Sequence, residues 1–118
     1  MYKEFIIFLG TENLQKTSDF YENILEMPLY KDQKGICMIF TVNAQSKIGF
    51  CKHMPIIYKD KSPIITLIVD NVDEVYKKLL ENKIEIEDRP KVNPTFNIYH
   101  FFFKDPNGYT IEVQKFLE

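Results

Sequence analysis

At 118 residues, 45% hydrophobic and 27% charged, the chain is long enough to bury one sizeable core and too apolar to be disordered. A formal net charge of -2, with both signs interspersed, offers no electrostatic footprint for nucleic acid or an anionic membrane. No apolar run approaches the ~20 residues of a transmembrane helix, and Met1-Tyr2-Lys3-Glu4-Phe5 lacks the apolar stretch of a signal peptide.

Taken in chain order, Phe5-Ile6-Ile7-Phe8-Leu9 predicts a strand buried on both faces. Asn13 predicts the N-cap of a helix running to about residue 25, with Leu14, Thr17, Phe20, Tyr21, Ile24 and Leu25 on its inner face. Met27-Pro28 ends it, because proline restricts the residue before it. Strands follow over 29–32, 36–42 and 47–52, the last two joined by an Asn43-Ala44-Gln45-Ser46 hairpin. Residues 54–61 form a linker containing Pro55 and several lysines. Ile64-Ile65-Thr66-Leu67-Ile68-Val69 is then a β-branched strand, and Asn71 caps a helix with Val72, Val75, Tyr76, Leu79 and Leu80 inside. Strands are expected over 84–87, 97–104 and 109–114. Asp105-Pro106-Asn107-Gly108 joins the last two, proline fixing the turn and glycine taking its left-handed position.

An offset of 58 residues maps Ile6 onto Ile64 and Asn13 onto Asn71. Matching order at a fixed offset is the mark of internal duplication. The expected architecture is one α+β domain over 1–118, made of two β-α-β-β-β units at about 1–53 and 62–118. With only Cys37 and Cys51 and no C-x-x-C spacing, the cysteines are expected to be free thiols in a reducing cytoplasm.

Three motifs in register lie on that duplication: Asp19-Phe20-Tyr21 with Ile24-Leu25, Val69-Asp70-Asn71-Val72-Asp73, and Phe103-Lys104-Asp105-Pro106-Asn107-Gly108 followed by Ile111-Glu112-Val113. Over its whole length the chain resembles the vicinal oxygen chelate superfamily, which holds lactoylglutathione lyase, extradiol dioxygenases, and fosfomycin- and bleomycin-resistance proteins. The resemblance implies a curved, cup-like mixed sheet in each unit. It also implies a cavity between two cups, with a divalent metal held by the first and last strands of each unit. Carried over residue by residue, the metal-ligand positions fall on Ile6, Gly49, Ile64 and Glu112. A divalent ion needs three or more nitrogen, oxygen or sulfur donors, and isoleucine and glycine side chains supply none. No metal and no other cofactor is expected there.

With Asp105 opposite Tyr109, Glu112 falls opposite Phe102 and Gln114 opposite His100, so these four and Thr110 share one face. The resemblance makes that the cavity face. Glu112 reads as a hydrogen-bond acceptor or general base between Phe102 and Ile64, its pKa raised by desolvation. The bland reading is a solvated or ion-paired carboxylate. His100 reads as a ligand contact diagonal to Glu112, against the commoner structural histidine. Phe8, Phe102 and Phe50 supply an aromatic clamp or simply a packed core. Cys51 reads as an inert small hydrophobe, His53 as exposed, and Lys52, Lys59 and Lys61 as a solvated loop.

The function expected on this basis is a metal-free protein holding a small organic molecule through Ile6, Phe8, Ile64, His100, Phe102 and Glu112. The bleomycin-resistance proteins stack their drug on tryptophan, and this chain has none. The rival is a metal-dependent lyase or isomerase of the lactoylglutathione lyase type, with Glu112 as base or metal ligand. A third reading is a collapsed domain whose cup is filled by Ile6, Ile64 and Phe8. The resemblance further implies a homodimer.

Overall fold

Each half of the chain builds one four-stranded sheet in the computed structural model, which describes residues 1–118; the halves divide at Ile57/Tyr58. In unit 1, β1 (Phe5–Gly10) is followed by α1 (Leu14–Ser18), a π-helical segment (Asp19–Ile24), β2 (Leu29–Gln33), β3 (Cys37–Asn43) and β4 (Ser46–Cys51). The sheet order is β1-β4-β3-β2, with β1 parallel to β4 and the other pairs antiparallel. Asn13 caps the helix, its side chain accepting the Lys16 N–H at 2.9 Å. The helix does not stay α-helical to residue 25 as the periodicity predicts. The Leu25 N–H reaches the Phe20 carbonyl, five residues back, and Glu26 then turns out at φ 57°. The wider turn still seats Phe20 and Tyr21 in the core, where the Tyr21 ring lies 4.5 Å from Phe50 and 6.0 Å from Phe40.

Unit 2 runs β5 (Ile64–Ile68), α2 (Val72–Glu81), β6 (Lys91–Asn93), β7 (Ile98–Lys104) and β8 (Thr110–Phe116), with sheet order β5-β8-β7-β6. Asn71 caps α2 as Asn13 caps α1, accepting the Glu74 N–H at 3.0 Å. The Asp105–Gly108 turn forms as its residues dictate: Asp105 Oδ1 accepts from the N–H of Asn107 and of Tyr109, and Gly108 sits at φ 95°. Val72, Leu79, Phe101, Phe103, Ile111 and Val113 are buried. The α+β class and the two-unit element order are those expected.

Three further expectations fail. Residues 84–87 are not a strand; the partner of β7 is 91–93 instead. The Asn93 side chain accepts the N–H groups of Thr95 and Phe96, and Asn97 takes φ 55°. That turn folds the chain just before it back on β7, leaving Ile84 and Ile86 half-buried off the sheet. The strand over 5–9 is not buried on both faces. It is the edge of its sheet, with Phe5 64%, Ile7 40% and Phe8 39% exposed. Nor is 54–61 a free linker: Met54 and Pro55 lie over Gly10, while the Tyr58 ring packs 5.9 Å from Tyr109.

Candidate functional site

The register of β7 and β8 pairs His100 with Gln114, Phe102 with Glu112 and Lys104 with Thr110, which is the expected pairing. His100 and Glu112 are both buried, at 7% and 6% exposure, and His100 Nδ1 lies 2.6 Å from Glu112 Oε2. The other carboxylate oxygen accepts the Thr66 hydroxyl at 2.8 Å. Thr66, not Ile64, is the β5 neighbour of Glu112, because the parallel register pairs Ile64 with Thr110. Sequence reasoning missed Thr66 by assuming a register two residues away.

The direct His100 bond, with Thr66 behind it, reverses the expected electrostatics. Desolvation is the largest influence on Glu112 and pushes its pKa up. Hydrogen bonds from His100, Thr66 and Gln114, with the charge of His100, together hold it below its ordinary value of 4.5. The expected upward shift is therefore overturned. Glu112 is an ionised acceptor with both oxygens engaged. It fixes the His100 ring with Nδ1–H as donor and leaves Nε2 for another partner.

His100, Phe102 and Thr110 border an open cleft of about 1160 Å³ within unit 2, whose far wall is the 84–89 segment. The cleft exists because β6 pairs only with the first three residues of β7 and leaves 101–104 with β8 on one side and no strand on the other. Phe102 stands edge-on to His100 at 5.0 Å, and Lys61 Nζ lies 5.1 Å from the Phe102 ring. Lys61 is thus an aromatic-packed cation at the cleft wall, not only a solvated loop residue.

In unit 1 the corresponding sheet face carries an aromatic ring and one buried cation. Phe8 pairs with Gly49, and a Cβ on Gly49 would lie 2.6 Å from the Phe8 ring, so the ring covers the glycine. Ile6 pairs with Lys47, which is 5% exposed, ion-paired with Glu4 and 4.5 Å from the Tyr30 ring. Ile6, Phe8 and Ile64 are 36%, 39% and 44% exposed. Phe50 is fully buried against Tyr21 and belongs to the core. The donor set does not fit a divalent ion. Unit 1 offers Ile6 and Gly49, unit 2 offers Ile64 and a Glu112 whose oxygens are already bonded.

The free-thiol expectation is also overturned. Cys37 and Cys51 face each other across β3 and β4, Cα atoms 4.1 Å apart, and are disulfide-bonded. The ground for placing the chain in a reducing compartment goes with it. His53 is exposed, as expected, yet its Nδ1 lies 3.9 Å from Cys37 Sγ. A signal was present, since the 43–46 hairpin nearly sets Cys37 against Cys51. A bulge between Thr41 and Asn43 shifts the count by one residue and hides the pair. No helix is long and apolar enough to cross a membrane.

A family model described as Glyoxalase/Bleomycin resistance protein/Dioxygenase superfamily matches residues 6–113. Solved structures agree in fold. A superfamily member from Sphaerobacter thermophilus is 20% identical, with 98% of each chain covered and a TM-score of 0.80. A glyoxalase/bleomycin resistance protein/dioxygenase from Nocardioides is 19% identical, covering 100% of this chain and 85% of its own, at 0.79. The lactoylglutathione lyase of Agrobacterium tumefaciens is 17% identical, covering 94% and 91%, at 0.76. None of the curated proteins matches the sequence.

Proposed function

The chain belongs to the glyoxalase/bleomycin resistance protein/dioxygenase superfamily, and from that premise we propose that it binds a small organic molecule without a metal. The observation that carries this reading is the buried His100–Glu112 pair at the cleft, on the strand position where the resemblance places a metal ligand. Glu112 orients the imidazole, His100 Nε2 meets a polar end of the ligand, and Phe102 packs against its apolar body. Catalysis with Glu112 as general base is disfavoured. A carboxylate held below its ordinary pKa is a weak base, and both its oxygens are occupied.

A panel of small aromatic acids, amides and phenols, screened by thermal shift and followed by calorimetry, tests the reading. Binding should weaken by roughly tenfold or more in His100→Ala, which removes a ligand hydrogen bond worth ~1.5 kcal/mol, and should also weaken in Glu112→Gln, which no longer holds the His100 ring with Nδ1–H as donor. Binding unchanged in both variants, or an increase in melting temperature of the disulfide-bonded protein with Mn²⁺ or Ni²⁺ that Glu112→Gln removes, would overturn it. We further propose a homodimer, supported by the exposed apolar side chains of β1, which a second copy would cover. Light scattering at micromolar concentration should give twice the chain mass; a monomer would refute the pairing.

A further inference from the structure

We propose that Cys37, Cys51 and His53 form a redox-gated site for a soft divalent cation such as Zn²⁺, open when the cysteines are reduced and closed by their disulfide. It lies in unit 1, apart from the His100–Glu112 pair, and does not rest on the function proposed above.

The backbone brings the three residues together without help from the disulfide. The Lys52 N–H donates to the Ile36 carbonyl at 2.9 Å, so residues 36 and 52 are a hydrogen-bonded pair. Residues 37 and 51, one step further in, are then the close, non-hydrogen-bonded kind, whose side chains run side by side. The chain turns immediately after β4, where the Met54 N–H bonds back to the Cys51 carbonyl at 3.3 Å. That turn carries His53 back beside Cys37. The three ligand atoms lie within 4.8 Å of one another. A tetrahedral zinc needs its sulfurs about 3.8 Å apart and its sulfur and nitrogen about 3.5 Å apart. The 3.9 Å between Cys37 Sγ and His53 Nδ1 is already close to that edge. Once the bond is cut, the two sulfurs need only side-chain rotation to part.

Burial favours the same chemistry. Cys37 and Cys51 are 6% and 1% exposed, whereas His53 stands at the surface and leaves an entry and a fourth position for water. Two thiolates and an imidazole suit zinc and exclude magnesium or calcium, which take oxygen. The steps balance. A dithiol reductant gives two electrons and two protons to the disulfide, leaving two thiols and its own disulfide. The cation then displaces those two protons and binds two thiolates and neutral His53. Oxidation by an external disulfide takes two electrons from the thiolates, reforms the Cys37–Cys51 bond and ejects the ion.

Titration of the full chain with Co²⁺ and Cd²⁺ tests this, after reduction with a phosphine and in parallel on the oxidised protein. The reduced chain should show a thiolate-to-metal charge-transfer band saturating at one ion per chain, and the oxidised chain none. The exposed position of His53 makes His53→Ala structurally mild, and it should weaken binding at least tenfold. No charge-transfer band in the reduced protein would overturn the proposal. So would equal binding by wild type and His53→Ala, or a band of equal strength in the oxidised chain. Cys37→Ser should abolish the band, and its persistence there would also overturn the assignment.

Discussion

At equivalent points of the two sheets stand Phe8 beside Gly49 in unit 1 and Thr66 beside Glu112 in unit 2. The same parallel pairing is used in two chemically opposite ways. In unit 1 an aromatic ring lies over a residue with no side chain, and that point of the sheet offers no polar group. In unit 2 a hydroxyl and an imidazole hold a carboxylate ionised on a largely buried wall. One step along β3 and β7, the disulfide Cys37–Cys51 occupies the place that His100 and Gln114 take in the second sheet. A duplicated backbone thus keeps its register while each copy carries its own chemistry. Unit 1 holds sulfur, and unit 2 holds an acid and a base.

The largest test of the contrast is steric. Gly10 is equivalent to Ile68, yet only unit 1 folds its following segment back over that point. A Cβ on Gly10 would overlap the Pro55 carbonyl oxygen, which is backbone and cannot swing aside. Gly10→Ala should therefore cost about 3 kcal/mol or more in denaturant unfolding. Ile68→Ala, at 55% exposure, should cost under about 1 kcal/mol. Equal costs would mean the 54–55 segment is not seated on β1.

Next comes the polar wall. Glu112→Ala leaves the buried His100 Nδ1 without its partner and removes the acceptor of the exposed Thr66 hydroxyl, a loss of about 2–3 kcal/mol at neutral pH. Glu112→Gln keeps the shape but gives up the charge-assisted bonds, and should cost about 1–2 kcal/mol. A neutral isostere would have been harmless under the upward pKa shift expected from sequence; the observed partners reverse that. The pH dependence follows from the same sign. The folded carboxylate titrates below its ordinary value of 4.5, so the unfolded chain binds more protons in that range. The stabilisation is present above about pH 4.5 and lost as pH falls through the folded pKa. Glu112→Gln should flatten the acid limb of the stability profile measured by urea unfolding from pH 7 to pH 3. An unchanged limb would assign acid lability to other groups.

What the sequence made legible, and what it hid, divides along the same line. Local chemistry was readable: Asn13 and Asn71 as caps, Asp105-Pro106-Asn107-Gly108 as a turn, and through that turn the pairing of His100 with Gln114 and Phe102 with Glu112. Turns propagate register along an antiparallel hairpin, so a recognised turn fixes the pairs beyond it as far as the first bulge. Parallel pairing has no such anchor. The assignment of Ile64 instead of Thr66 to Glu112 failed for that reason. The pKa direction failed chiefly because His100 bonds Glu112 directly, with Thr66 adding to it. The Cys37–Cys51 pair was lost to a single bulge. The 84–87 segment alternates Ile84, Glu85, Ile86 and Glu87 like a half-buried strand, but Asn93 and Asn97 make a turn that selects 91–93 instead.

The smallest expected difference concerns the two caps, which look alike and should not behave alike. Both asparagines accept the N–H three residues ahead, at 2.9 and 3.0 Å. Beyond the cap the helix starts diverge. The first turn of α2 carries Asp73 and Glu74, whose negative charge favours a helix N-terminus, and that of α1 carries no acid. The Asn71 side-chain amide also donates to the Glu74 carboxylate at 3.4 Å, a second link between the cap and the first turn. Asn71→Ala leaves those charges in place and should cost about 0.5 kcal/mol, whereas Asn13→Ala leaves α1 with no compensation and should cost about 1 kcal/mol. The α1 start is also the shorter, five α-helical residues before the π-helical segment, against ten in α2. Its ordering depends more on the first turn, because a short helix has few internal bonds to offset a lost one. Adding Asn71→Ala to a chain that already carries Asp73→Asn and Glu74→Gln should cost about as much in unfolding as Asn13→Ala does. If Asn71→Ala already costs as much as Asn13→Ala, the acidic first turn is not what separates the two helix starts.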